Sequence, residues 1–390
     1  MVTRAEFYTY PWDLSDEGVV AASGVIADTL GPGGGVLLTL SYHVSTYFSP
    51  RNPRRKIYFG EEGAVYFQPD ESLYGRTGIR PLVSQIVTGP DYLPGLVRGI
   101  GERGLEFSAW AIYLYNHHLS QAFPDTARHD CFGEPHLGQL CPAHPDVRAY
   151  ALALTRDMVR FGPRHVQIES PGYLGFGYGF RNPKVAVAID PLHQFLMGLC
   201  FCRHCVEAAN GAGVDGERLR AEVAADLDRE LRLEPGDGQG DRDEWIEISY
   251  DGRLGSYLEA RTATATSLFE EVAAAVREGG AGVSFFGSLD RATTGLDRRR
   301  VLASVDAVYT SVPGPPEEAV QGVQKLRDDL APEVRLVSIV RPGGFEDESW
   351  TRRLIHSQAE AGVDGFAFYT YGQLREHHLA WIRGSRDAWS

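Results

Sequence analysis

The sequence predicts an α/β protein, a (β/α)8 TIM barrel, on three observations: eight short β-rich runs, helix-like stretches between them, and no glycine-rich dinucleotide fingerprint after any strand. The runs are residues 6–10 (EFYTY), 36–42 (VLLTLSY), 106–115 (EFSAWAIYLY), 165–169 (HVQIE), 282–287 (GVSFFG), 307–311 (AVYTS), 334–340 (VRLVSIV) and 365–371 (GFAFYTY). Helix candidates are residues 19–30, 92–103, 145–160, 257–278, 316–330 and 347–361. Strands alternating with helices build parallel βαβ units, and eight of them with no separate domain left over close into a barrel. An open doubly wound sheet is the alternative that the same alternation allows. GPGGG (residues 31–35) precedes its strand, so it reads as a helix stop and turn with no ligand.

Two connections exceed plain loops. Residues 44–91, after the second strand, hold the β-rich runs RRKIYF and AVYF around GEEG, which read as a projecting hairpin. Residues 170–256, after the fourth, hold LCFCRHC, helical stretches and the acidic, glycine-rich LEPGDGQGDRDE. Because βα loops emerge at the C-terminal face, both insertions are expected to wall one pocket on a single domain spanning 1–390.

Composition narrows the function. A net charge of −14 over 390 residues gives no basic face for nucleic acid. The N-terminus has no apolar signal core and no run is long enough for a membrane span, so the expected compartment is the cytoplasm. Five cysteines, three of them in LCFCRHC, suit reduced thiols or a metal better than a disulfide framework.

Strand alternation turns Val166 and Ile168 toward the helices and Gln167 and Glu169 toward the barrel interior, with Glu169 ending its strand at the mouth. Tyr173, Phe176, Tyr178 and Phe180 follow it, apolar faces that would stack on a sugar ring and raise the carboxyl pKa toward that of a general acid. The same parity sets Thr39, Ser41 and His43 on one face and Leu38, Leu40 and Tyr42 on the other, aiming His43 into the mouth. Asn116, His117 and His118 lie just past the third strand. Asp13, Asp290, Arg341, Tyr369 and Tyr371 stand at other expected mouths, and Trp12 and Trp110 offer stacking surfaces. Acid, second carboxylate, amide and aromatics together suit a neutral polyhydroxylated ligand, a small carbohydrate.

On QIESPGY around Glu169, on LCPAHPDVRAYALALTRDM ahead of it and on the C-x-C-x-x-C run behind it, the chain resembles glycoside-hydrolase-like (β/α)8 barrels, and in particular glycosidases whose activity is mostly unassigned. The resemblance implies a hydrolase of carbohydrate metabolism with Glu169 as acid/base. Retaining members keep a nucleophilic Glu at the end of strand seven. This chain has VSIVRPGG there and offers Arg341, so the second group falls to Asp13, Asp290 or Glu346. Glu169 and Asp290 are thus the catalytic candidates. Trp12, Asp13, His43, Asn116, His117, Tyr173, Arg341, Tyr369 and Tyr371 are the substrate-binding ones.

Two other readings stay open: a metal-dependent barrel lyase, isomerase or hydrolase using Glu169 with His43, His117 or His118, and a non-catalytic carbohydrate-binding barrel. No cofactor is required for the glycosidase reading. Cys200, Cys202 and Cys205 could hold a structural Zn²⁺ with a fourth group such as His204, Cys131 or Cys141, against buried reduced cysteines as the alternative.

Overall fold

The computed structural model describes residues 4–43, 45–233, 242–312, 314–345 and 347–389. Eight strands form the barrel: β1 (Arg4–Thr9), β2 (Gly35–Tyr42), β3 (Glu106–Ile112), β4 (His165–Glu169), β5 (Gly282–Phe286), β6 (Ala307–Thr310), β7 (Arg335–Val340) and β8 (Gly365–Phe368). Each pairs in parallel with the next, and β8 pairs back onto β1, which closes the sheet. The helices Val19–Leu30, Tyr92–Gly101, Pro145–Val159, Arg253–Glu278, Pro316–Asp328 and Glu348–Glu360 surround it. Gly31 ends the first of these at φ +81°, with its N–H on Ala27 O at 2.9 Å, a helix stop rather than a phosphate cradle.

The period of two decides which side chains meet. Phe7, Leu38, Ala109, Val166, Ile168, Phe366 and Phe368 pack outward against the helices. Tyr8, Tyr10, Leu37, Trp110, Tyr309, Val337 and Ile339 fill the interior. The interior is therefore a packed aromatic column.

Two expectations need correction. Tyr42 does not pack outward with Leu38 and Leu40: the β2–β3 ladder slips between Thr39 and Ser41, and Tyr42 joins the interior cluster with Tyr10 and Trp110. An extra residue in a strand flips the facing of everything beyond it. The hairpin also pairs differently from the expected match of RRKIYF with AVYF. Ile57–Phe59 runs antiparallel to Thr46–Phe48, while Ala64–Val65 adds to β2. Between them, the Glu61 carboxylate accepts from Ser84 Oγ, Gln85 N and Tyr58 Oη, which draws the turn away from a tight two-strand closure.

Candidate active site

Gln167 and Glu169 point inward from β4, and Trp110 on β3 lies in register with Gln167. The Trp110 indole donates to Glu169 Oε2 at 2.6 Å. Beneath it, Tyr8 Oη donates to Gln167 Oε1 at 2.9 Å. Glu169 ends its strand, and Ser170 follows at φ +52°, a left-handed conformation unusual for a side-chain-bearing residue. Leu114 N–H holds that turn by donating to Ser170 O at 3.0 Å.

The Glu169 carboxyl sits deep among protein atoms, and burial pushes its pKa up to about 7 against the pull of the Trp110 bond and of Arg341. One donor is too few to keep a buried carboxylate charged. Near neutral pH this group holds and releases a proton. No carboxylate among the described residues is among the groups that shift it.

A cavity of 230 Å³ opens beside Glu169, lined among others by Tyr173, Tyr178, Phe285, Phe286 and Thr293. On the other side of the carboxyl, Trp110 meets Tyr8 and Tyr42 edge-on, each at 4.8 Å between ring centres, and Tyr369 at 6.0 Å. The hydroxyls of Tyr10, Tyr42 and Tyr369 converge at 3.1 to 3.4 Å. Arg341 lies 5.0 Å from the centre of the Tyr369 ring and donates to Ser311 Oγ at 2.6 Å. Thus Glu169, Trp110, Tyr173, Arg341 and Tyr369 come together at one mouth.

Other candidates are placed elsewhere or held by neighbours. Asp290 caps the helix Arg291–Thr294, forms a two-point ion pair with Arg242 at 2.9 and 3.0 Å, and is absent from the cavity wall. Asp13 is buried in the helix Pro11–Glu17, where it accepts from Tyr10 N at 3.0 Å and packs so tightly on Gly372 that a Cβ there would lie 1.9 Å from its Oδ1. Burial pushes Asp13 to about 7 as well. Trp12 is fully buried, stacked on Tyr10 at 4.6 Å. Tyr371 donates to Glu17 Oε2 at 2.7 Å beneath Arg51, in the outer layer against Phe7. Asn116 caps its helix through Leu119 N and donates to Gly63 O at 3.0 Å. Glu346 lies outside the described residues.

His43 is stacked between Tyr42 and Tyr115, both at 4.4 Å, and His117 Nε2 contacts Gly179 O at 2.8 Å. Among the described residues, the one cluster of three or more potential ligands is Cys141, Cys200, Cys202 and Cys205, with all four sulfurs within 4.8 Å of one another. Cys131 and His204 are not in it. Tyr8 and Tyr10 join the barrel interior without being among the candidate residues, although the alternation in EFYTY already turns both to the face opposite Phe7.

No protein-family model matches the chain, and no curated protein resembles it in sequence. Solved structures do resemble it in fold. Alpha-L-fucosidase isoenzyme 2 from Paenibacillus thiaminolyticus superposes with a TM-score of 0.57 at 11% identity, over 99% of this chain and 49% of that one. The catalytic domain of beta-amylase from Paenibacillus polymyxa gives 0.55 at 12% identity, over 99% and 98%. The beta-galactosidase from the psychrophilic Marinomonas ef1 gives 0.56 at 10%, over 98% and 59%. This is a glycoside-hydrolase-like fold. The chain spans about half the length of the fucosidase it matches. At these identities the glycoside-hydrolase-like barrel is shared while side-chain chemistry is not carried across.

Proposed function

We propose that the protein is a glycosidase acting on a small carbohydrate or glycoside, with Glu169 as general acid. The observation that carries this reading is a carboxyl raised to about 7 at the C-terminal end of β4, facing an aromatic cavity. A protonated Glu169 gives its proton to the departing glycosidic oxygen as the C–O bond breaks, a water molecule bonds to the anomeric carbon and gives up its proton to solvent, and the resulting Glu169 carboxylate is stabilised by the Trp110 N–H and by Arg341. Tyr173 and Tyr178 supply ring faces for the sugar, and Arg341 with Tyr369 supplies donors to its hydroxyls. We further propose a cytoplasmic protein, since none of the five cysteines forms a disulfide, as suits a reducing compartment. No helix among the described residues is long and apolar enough to cross a membrane.

The test is Glu169→Gln assayed on a panel of aryl glycosides. Turnover is expected to fall by about 10²- to 10⁴-fold while calorimetric sugar affinity stays nearly unchanged. Wild-type turnover undiminished in the variant removes Glu169 from the acid role. Saturable sugar binding with no wild-type turnover instead supports the carbohydrate-binding barrel.

A further inference from the structure

Four buried cysteines, one of them about sixty residues before the other three, meet behind the wall of the Glu169 cavity. Cys141 follows the strand Pro135–Leu140 and is tied by its N–H to Thr126 O at 2.8 Å. Cys202 is the N-cap of the helix Arg203–Gly211, Cys205 lies in its first turn, and Cys200 precedes it, with its carbonyl accepting from Tyr257 Oη at 2.5 Å. Cys141 Sγ is 3.4 Å from Cys205 Sγ, 3.5 Å from Cys202 Sγ and 3.7 Å from Cys200 Sγ.

These spacings select one kind of occupant. A disulfide brings two sulfurs to about 2.05 Å. Four thiolates at about 2.3 Å from a single tetrahedral zinc ion stand about 3.8 Å apart. A polynuclear iron–sulfur cluster spreads its thiolates farther, because each binds a different iron atom. The observed sulfurs sit at the spacing of one shared ion.

Charge supports the same reading. Arg128 and Arg261 are 1% and 2% exposed. Neither forms an ion pair with a carboxylate among the described residues. Arg128 feels Cys200, the Asp130 carboxylate and Cys141 electrostatically, and it also feels Arg261. Two buried cations within reach of each other require an anion nearby. Four thiolates around one Zn²⁺ carry a net charge of −2, which adds to the Asp130 carboxylate in offsetting the two arginines.

We propose that Cys141, Cys200, Cys202 and Cys205 form a structural zinc centre, four thiolates on one Zn²⁺, that anchors the wall of the Glu169 cavity through Tyr173. The anchor is direct. Tyr173 lines the cavity and its hydroxyl lies 3.1 Å from Cys205 Sγ. The Arg261 guanidinium stacks over the Tyr173 ring at 4.1 Å and donates to Ala292 O at 3.0 Å, next to the wall residue Thr293. Cys141 comes from the segment before β4 and the other three from the segment after it, so the ion staples together the two sides of the strand that carries Glu169. Binding releases the thiol protons to solvent. The centre stands whatever reaction the cavity supports.

The test uses the full chain, purified under reducing conditions without chelator or metal-affinity resin. One zinc per chain is expected by elemental mass spectrometry, released in step with modification of four thiols by a mercurial. Replacing it with Co²⁺ should give the visible bands of tetrahedral cobalt thiolate. Cys131→Ser should keep the full zinc content, and Tyr173→Phe should keep it too while shifting the cobalt–thiolate charge-transfer band. Substoichiometric zinc with reactive thiols in the native protein overturns the proposal. So does iron in place of zinc, or a disulfide among these four by peptide mass, and an unshifted band in Tyr173→Phe overturns the anchor.

Discussion

Glu6 and Glu169 face the same barrel interior from opposite ends, Glu6 at the floor on β1 and Glu169 at the mouth on β4, and their surroundings drive them to opposite charge states. Burial pushes both upward. At the floor, His165 at 3.5 Å, the Tyr309 hydroxyl and Arg335 overcome it and hold Glu6 below the usual 4.5. At the mouth, one indole N–H and the more distant Arg341 do not, and Glu169 rises to about 7. The number of donors decides the outcome, because each bond to the charged form offsets part of the desolvation cost. The fully donated carboxylate belongs to the framework; the under-donated one is free to exchange a proton with a ligand.

The largest expected effect of this contrast is on stability against pH. A carboxyl raised from 4.5 to about 7 contributes stability that is complete below pH 4.5 and is lost as pH rises through 7, up to about 3 kcal/mol. Glu6 has the opposite sign: its contribution is present above 4.5 and is lost as pH falls through its lowered folded value. Urea titrations at pH 5.5 and 8.5 should therefore show Glu169→Gln more stable than wild type at both, by about 1 kcal/mol at the lower pH and about 3 kcal/mol at the higher. Asp13, also raised to about 7, keeps its own share of the alkaline loss in that variant. Glu6→Gln should be less stable than wild type at both, by about 2 kcal/mol, and converge with it only in acid. Equal pH dependence in wild type and both variants would erase the contrast.

A smaller effect follows from the single donor at the mouth. Removing the indole N–H in Trp110→Phe strips Glu169 of its one hydrogen bond, so its pKa should climb further, by about one unit. In the pH profile of kcat/KM, the alkaline limb assigned to the acid should move up by that amount. A limb that stays in place while the variant remains folded would mean that the Trp110 bond does not set the proton affinity of Glu169.

What could be read from the sequence is whatever depends on period and local spacing. HVQIE alternates cleanly, so the inward facing of Glu169 follows from two-residue parity alone, and the eight-strand rhythm follows from the same kind of signal. Tyr42 escaped because one slipped residue between Thr39 and Ser41 reverses the parity without leaving a mark in VLLTLSY. Cys141 was one of three candidate partners for the C-x-C-x-x-C run, since a separation of about sixty residues carries no distance. Asp290 resembled a mouth carboxylate because its partner, Arg242, arrives from a distant insertion.

The smallest effect concerns that last residue and measures how far the under-donated state is special to Glu169. Arg242 gives Asp290 two hydrogen bonds and Thr293 gives it a third at 2.6 Å; although burial raises it, these donors hold its pKa below the usual range. Asp290 thus resembles Glu6 in its saturation with donors, yet it is about one-third exposed, so solvent screens the pair. Asp290→Asn should cost under about 1 kcal/mol in urea titrations and leave turnover within about threefold of wild type. A fall in kcat comparable to that of Glu169→Gln, without loss of fold, would place Asp290 in the chemistry and require the Arg242 pair to open when substrate binds. A donor-saturated carboxylate would then be catalytic after all, and donor count would no longer separate framework from site in this barrel.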